Sequence, residues 1–176
     1  MKRNTRVRFL TEAAMIAAGY TVLTLLAMML NLAYGPVQFR FSEALTVLPV
    51  LTPAAVPGLA VGCLLSNLWS SMGALDIIFG TAATLLAALT TYKVRNIRVK
   101  GIPILAPLPP VLFNALIVGV EITIVSPGGF VFPAFLANAL SVGLGELAVC
   151  YVLGLPLLVA LEKAMGAYKN GRGVSH

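Results

Sequence analysis

Histidine is nearly missing from this chain: the single one is His176, the last of 176 residues. That excludes Ser/His/Asp and Cys/His catalytic sets and any histidine-built metal site. Cysteine is scarce too. Cys63 and Cys150 each lie inside an apolar run with no partner at metal-ligand spacing, so they read as small packing residues, and a disulfide scaffold is excluded. Charge is the third shortage, at 10% of residues against about 25% in a soluble domain. No Gly-x-x-x-x-Gly-Lys-Ser/Thr loop occurs, so this chain does not itself cradle and hydrolyse ATP, and it is expected to carry no cofactor of its own.

What fills the space is apolar. Hydrophobic residues make up 59% of the chain and the mean hydropathy is +0.96. So few charges cannot cover so much apolar surface in water. Disorder and a cytosolic enzyme are excluded, and lipid is the natural solvent of a single integral-membrane domain, residues 1–176. The formal charge is +6, from 12 basic and 6 acidic residues. The basic residues sit at the ends of apolar runs rather than on one polar face, which is the pattern of cytoplasmic loop anchors and argues against nucleic acid as a partner. Lys2, Arg3, Arg6 and Arg8 precede the run Leu10–Leu32, which is too long for a signal peptide and reads as a retained first membrane helix.

Further apolar blocks cover Ala44–Met72, Ile77–Tyr92, Ile102–Val125 and Pro133–Leu161. Eleven of the 12 basic residues form three clusters: Lys2, Arg3, Arg6 and Arg8; Lys93, Arg95, Arg98 and Lys100; Lys163, Lys169 and Arg172. The positive-inside rule puts all three in the cytoplasm, so an even number of crossings separates the first from the second. Ala44–Met72 must then cross twice, broken at Pro53–Pro57. The sequence predicts an all-α polytopic protein with six transmembrane helices, at about 10–32, 43–54, 57–72, 76–92, 103–125 and 133–161, and both termini cytoplasmic. Helices two and three are short for a full span, and must tilt, be buried by neighbours or re-enter. Pro103, Pro107, Pro109 and Pro110 predict an irregular start to helix five, and the polar tail after Glu162 is expected to fray.

This topology gives the acids a depth. Glu43 opens helix two and Asp76 helix four at the outer face, Glu121 lies one turn below the outer end of helix five, and Glu146 is near the middle of helix six. Arg40 is the one outer cation. Charges at such depth cost about 2.5–3.5 kcal/mol on insertion scales, so they pair or line a cavity. Asn67, Trp69, Ser70, Ser71, Asn114, Asn138 and Ser141 share that depth.

Plainer roles stand beside this. Arg40 with Glu43 reads equally as an interfacial ion pair, Asp76 as a helix N-cap, the asparagines as interhelical glue, and Trp69 and Tyr34 as interface-belt aromatics. Acids in excess over one arginine favour a ligand that donates hydrogen bonds or carries positive charge, such as the donor edge of a guanine-like base. Helix one carries overlapping small-residue pairs, Ala13 with Ala17 and Ala14 with Ala18, suited to close approach by a partner helix or by another helix of the same bundle.

The run Gly35-Pro36-Val37-Gln38-Phe39-Arg40-Phe41-Ser42-Glu43-Ala44-Leu45-Thr46-Val47-Leu48-Pro49 resembles the signature of the QueT family. Supporting stretches are Asn67, Asp76 to Leu86, Gly145-Glu146 and Cys150 to Leu157. The resemblance implies a substrate-binding S component of an energy-coupling factor transporter in the bacterial plasma membrane. It also implies a transmembrane coupling subunit and two ATPase subunits as partners, with ATP and magnesium held by the latter. The implied ligand is a deazaguanine such as 7-aminomethyl-7-deazaguanine, or queuine or queuosine. Gln38, Arg40 and Glu43 carry over as site residues, and Asn67, Asp76, Asn138 and Glu146 as a second tier. The alanine face of helix one, Ala13, Ala14, Ala17 and Ala18, becomes the contact for the coupling subunit. One of Glu43, Asp76, Glu121 or Glu146 is expected to bind the ring N–H and exocyclic amine, and another the aminomethyl group. The main rival is a stand-alone secondary transporter or channel using Glu121 and Glu146 as ion sites. A membrane enzyme or a purely structural subunit fits less well.

Overall fold

A computed structural model describes residues 2–32, 39–70 and 72–172, without the side chains of residues 2, 3 and 167–172. Among these residues every regular element is a helix. The first, α1, spans Lys2–Met29. It stops where Asn31 adopts φ 60°. The Leu32 N–H then donates to the Ala27 carbonyl and the Asn31 N–H to the Met28 carbonyl, both at 2.9 Å. This paired closure is the usual helix stop, with asparagine in the left-handed position that glycine more often fills.

The chain returns as a 3₁₀ helix, Phe41–Val50. Two local features oppose α-geometry here. Pro49 offers no N–H and its ring crowds the carbonyl four residues back, and the Thr46 hydroxyl donates to the Glu43 carbonyl at 2.6 Å. Ten residues is long for this geometry, since runs beyond three or four are uncommon and mark hinges or strain. Its neighbours α1, the helix Ala74–Val94 and the segment 149–154 enclose it, and Ser42, Glu43, Ala44, Thr46, Val47 and Pro49 are buried. After a turn at Pro53, α2 runs over Ala55–Asn67. Each of these two elements is about 20 Å long, short of a ~30 Å hydrocarbon core. Of the options open in the sequence, burial by neighbours is the one observed. The predicted bounds 43–54 and 57–72 become 41–50 and 55–67.

The remaining elements are α3 (Ala74–Val94), α4 (Leu108–Val125), α5 (Phe132–Ala148) and α6 (Leu155–Arg172). Residues 102–107 form turns, and α4 starts with prolines in its first turn, where a missing N–H costs nothing. Between α5 and α6 the helix widens into a π turn, Val149–Gly154, immediately ahead of Pro156, which cannot join a regular α-ladder. The tail expected to fray after Glu162 continues α6 as helix to Arg172.

Side-chain contacts fix the direction of each element. Thr24 bonds Ser42 and Thr52 bonds Glu12, so the 3₁₀ helix runs antiparallel to α1. Gly58 faces Ala13 and Gly62 faces Ala17, so α2 runs parallel to α1. Arg98, after α3, meets Glu162 on α6, and a cavity of about 740 Å³ is lined by Arg8, Glu12, Thr52, Leu161 and Met165. Both ends of the described chain therefore lie at one end of the bundle, as the even crossing count requires. Among the described residues, four helical stretches are long and apolar enough to cross a membrane: Asn4–Met29, Ala74–Val94, Leu108–Val125 and Phe132–Gly166.

Packing between helices uses small residues. A Cβ on Gly58 would stand 2.7 Å from the Ala13 carbonyl oxygen, and one on Gly62 would stand 2.8 Å from that of Ala17. This divides the alanine face expected to meet a partner. Ala13 and Ala17 are spent against α2 inside the chain, because only glycine opposite them permits so close an approach, whereas Ala14 and Ala18 are exposed.

Candidate functional site

Glu43 is the centre of the polar interior. The 3₁₀ helix carries its carboxylate into the middle of the bundle, where it is 1% exposed, rather than to the outer face expected for it. The Tyr20 hydroxyl of α1 donates to one carboxylate oxygen, and Asn114 Nδ2 of α4 donates to the other at 3.3 Å. The Cys150 thiol, on the π turn, lies 3.5 Å from the Glu43 carbonyl oxygen and 3.6 Å from Glu146 Oε2. Glu146 is itself buried, so two acids on different elements share the Cys150 side chain.

Arg40, just ahead of the 3₁₀ helix, donates from Nη2 to Asn67 Oδ1 at 2.7 Å. Asn67 Nδ2 then donates to the Asp76 carbonyl at 2.8 Å. Gly80 permits this junction, since a Cβ there would meet Asn67 Nδ2 at 2.6 Å. The expected ion pair of Arg40 with Glu43 is not a direct contact: the ion pairs among the described residues are Arg8–Glu12 and Arg98–Glu162. Arg40 instead acts at longer range. It interacts electrostatically with Glu43, Asp76, Glu121 and Glu146, and is the positive group common to all four acids.

Asp76 does not cap α3. The cap position is Gly73, at φ 65° with no side-chain bond, and Asp76 lies buried in the first turn. Glu121 on α4 is 1% exposed, and neither of its carboxylate oxygens has a hydrogen-bond partner among the described residues.

The predicted site residues divide accordingly. Arg40, Glu43, Asn67, Asp76, Glu121 and Glu146 come together. Asn138 does not join them: its amide donates to Thr123 Oγ1 at 3.0 Å, as glue between α5 and α4. Trp69, in the turn after α2, is on the outside at 62% exposure, as an interface aromatic is, and is not a residue of the cluster. Gln38, Tyr34 and Ser71 lie outside the described residues. Tyr20 was missed, although its sequence signal is clear. A tyrosine in the middle of an apolar run, away from either interface, needs a buried partner for its hydroxyl.

In comparison with known proteins, the QueT transporter family model matches residues 10–163. The chain belongs to the QueT transporter family. A relative from Lactococcus lactis subsp. cremoris (strain MG1363), named queuosine precursor transporter QueT, is 35% identical over 72 residues. That alignment covers 41% of this chain and 42% of the relative, so the chain spans less than half of that protein's length. No solved structure matches. The cluster of Arg40 and four acids is the chain's one arginine-centred polar interior among the described residues.

Proposed function

We propose that this QueT-family chain is the S component of an importer of the energy-coupling factor type. It binds a queuosine precursor, a deazaguanine such as 7-aminomethyl-7-deazaguanine or queuine or queuosine, from outside the bacterial plasma membrane, and its termini are cytoplasmic. The observation that carries this reading is the convergence of Arg40, Asn67, Asp76, Glu43, Glu121 and Glu146 in one buried place, with four acids to one cation. Such a place suits a ligand rich in N–H donors or carrying positive charge, and the printed name of the Lactococcus relative supports the same ligand class. A transmembrane coupling subunit and two ATPase subunits supply the energy, with ATP and magnesium bound in the latter. The coupling subunit meets the exposed pair Ala14 and Ala18.

Calorimetric titration of the purified chain with 7-aminomethyl-7-deazaguanine tests the reading, together with uptake into ATP-free liposomes. Binding without uptake is the expected result. Uptake by the chain alone would establish a stand-alone transporter in its place. Replacing Ala14 and Ala18 by leucine is expected to leave binding intact and abolish copurification with the ATPases.

A further inference from the structure

The four acids are not equivalent, and the difference lies in who satisfies them. Glu43 receives the Tyr20 hydroxyl and the Asn114 amide. Glu146 has the Cys150 thiol. Asp76 receives the Asn67 amide on its backbone carbonyl, and its carboxylate is not among the fully buried, unpartnered groups. Glu121 alone among them has two buried oxygens with no donor. The other buried, unpartnered side-chain oxygen among the described residues is the Thr81 hydroxyl. A buried carboxylate without donors is costly and rare, because water's hydrogen bonds have been removed and nothing replaces them. The bundle does hold donors at this depth, and it commits them elsewhere. Tyr20 and Asn114 go to Glu43, and Arg40 makes its hydrogen bond to Asn67 while reaching Glu121 only through the field.

We infer that Glu121 is the acceptor for a two-donor N–H edge of the ligand, with Glu43 as an internal latch that the ligand does not touch. This rests on the proposed binding of a deazaguanine. The two free oxygens match a planar pair of donors, a ring N–H beside an exocyclic NH₂, each donating to one oxygen. A lone ammonium would not need both oxygens held open. An anionic ligand is repelled by Glu121 and by Asp76, with which Glu121 already interacts. The unsatisfied carboxylate is thus stability given up for recognition, a common trade at binding sites.

The test uses the full chain in detergent, 7-aminomethyl-7-deazaguanine, and its analogue lacking the exocyclic amine. Wild type is expected to bind the analogue ~10–100-fold more weakly, the loss of one hydrogen bond to a charged group. Glu121→Gln keeps the shape but turns one acceptor into a donor. It is expected to weaken binding of the full ligand by a similar factor and to erase the preference over the analogue. Without ligand, Glu121→Gln should unfold at the same or a higher temperature than wild type, which separates lost recognition from lost folding. Unchanged affinity and preference in Glu121→Gln, or a lowered unfolding temperature without ligand, would overturn the assignment while leaving the proposed function standing. If wild type binds neither compound, the proposed function and this inference fall together.

Discussion

Glu43 and Glu162 are the same amino acid placed in two solvents. Glu162 pairs with Arg98 across 2.6 Å at one end of the bundle, with side chains 24% and 39% exposed. Glu43 is buried, has no cation within contact distance among the described residues, and is held by a tyrosine and an asparagine from two other helices. The exposed pair has good geometry but little energetic weight, because water and salt compete for both partners. The buried acid has modest individual hydrogen bonds, yet removing it would strand donors that no water can reach. Charge contact is thus a poor guide to importance here, and burial with satisfied donors is a better one.

The strongest way to break this contrast is Glu43→Ala. It leaves the Tyr20 hydroxyl and Asn114 amide buried without their acceptor, at about 1–3 kcal/mol each, and opens a cavity besides. A total loss of about 3–5 kcal/mol is expected in a reversible unfolding assay in detergent, with Tyr20→Phe recovering part of it in the double variant. Full additivity of the two changes would mean that they do not interact, and would dissolve the hub.

A second substitution reaches the hub without touching a charge. A Cβ on Gly62 would stand 2.8 Å from Tyr20 Cβ and 2.8 Å from the Ala17 carbonyl oxygen. Gly62→Ala therefore pushes α2 away from α1 and shifts the donor that holds Glu43, at about 1–3 kcal/mol. Gly166 gives the matched control near Glu162, since nothing lies within 4 Å of a Cβ placed there. Gly166→Ala should be neutral or stabilising by up to about 1 kcal/mol. Equal effects at the two glycines would show that the hub is no tighter than the surface.

These contrasts also show how far the sequence could be read. Order along the chain was legible, because residue counts and the three basic clusters say which predicted helix carries each acid. That is why Arg40, Glu43, Asn67, Asp76, Glu121 and Glu146 were all in view, and why both ends of the chain fall at one end of the bundle. Facing was not legible. In lipid the outward side of a helix is as apolar as the inward side, so the periodicity that orients a helix in water is missing. Asn138 has the right depth but turns to Thr123, Trp69 turns outward, and Ala17 turns inward while Ala18 does not. Glu43 moved from the mouth to the centre for another reason. Pro49 and Thr46 favour 3₁₀ geometry, and hydrophobicity alone does not distinguish that coil from an α-helix.

The smallest expected effect is at the exposed pair itself. The Arg98 guanidinium hydrogen-bonds Glu162 through both terminal nitrogens, at 2.6 and 3.0 Å, and Nη1 also donates to the Gly101 carbonyl at 3.2 Å. The bond to Glu162 pushes Arg98 further above its ordinary value, so the cation stays charged across any usable pH. Salt rather than pH is then the lever. Arg98→Ala should cost no more than about 1 kcal/mol at low ionic strength, and that cost should shrink toward zero near 1 M salt, where the screening length falls to about 3 Å. Glu43→Ala should keep its full cost over the same range, because its partners are uncharged and shielded from the ions. A salt-independent loss at Arg98, or a salt-sensitive one at Glu43, would reverse the assignment of which acid is solvated and which is sealed.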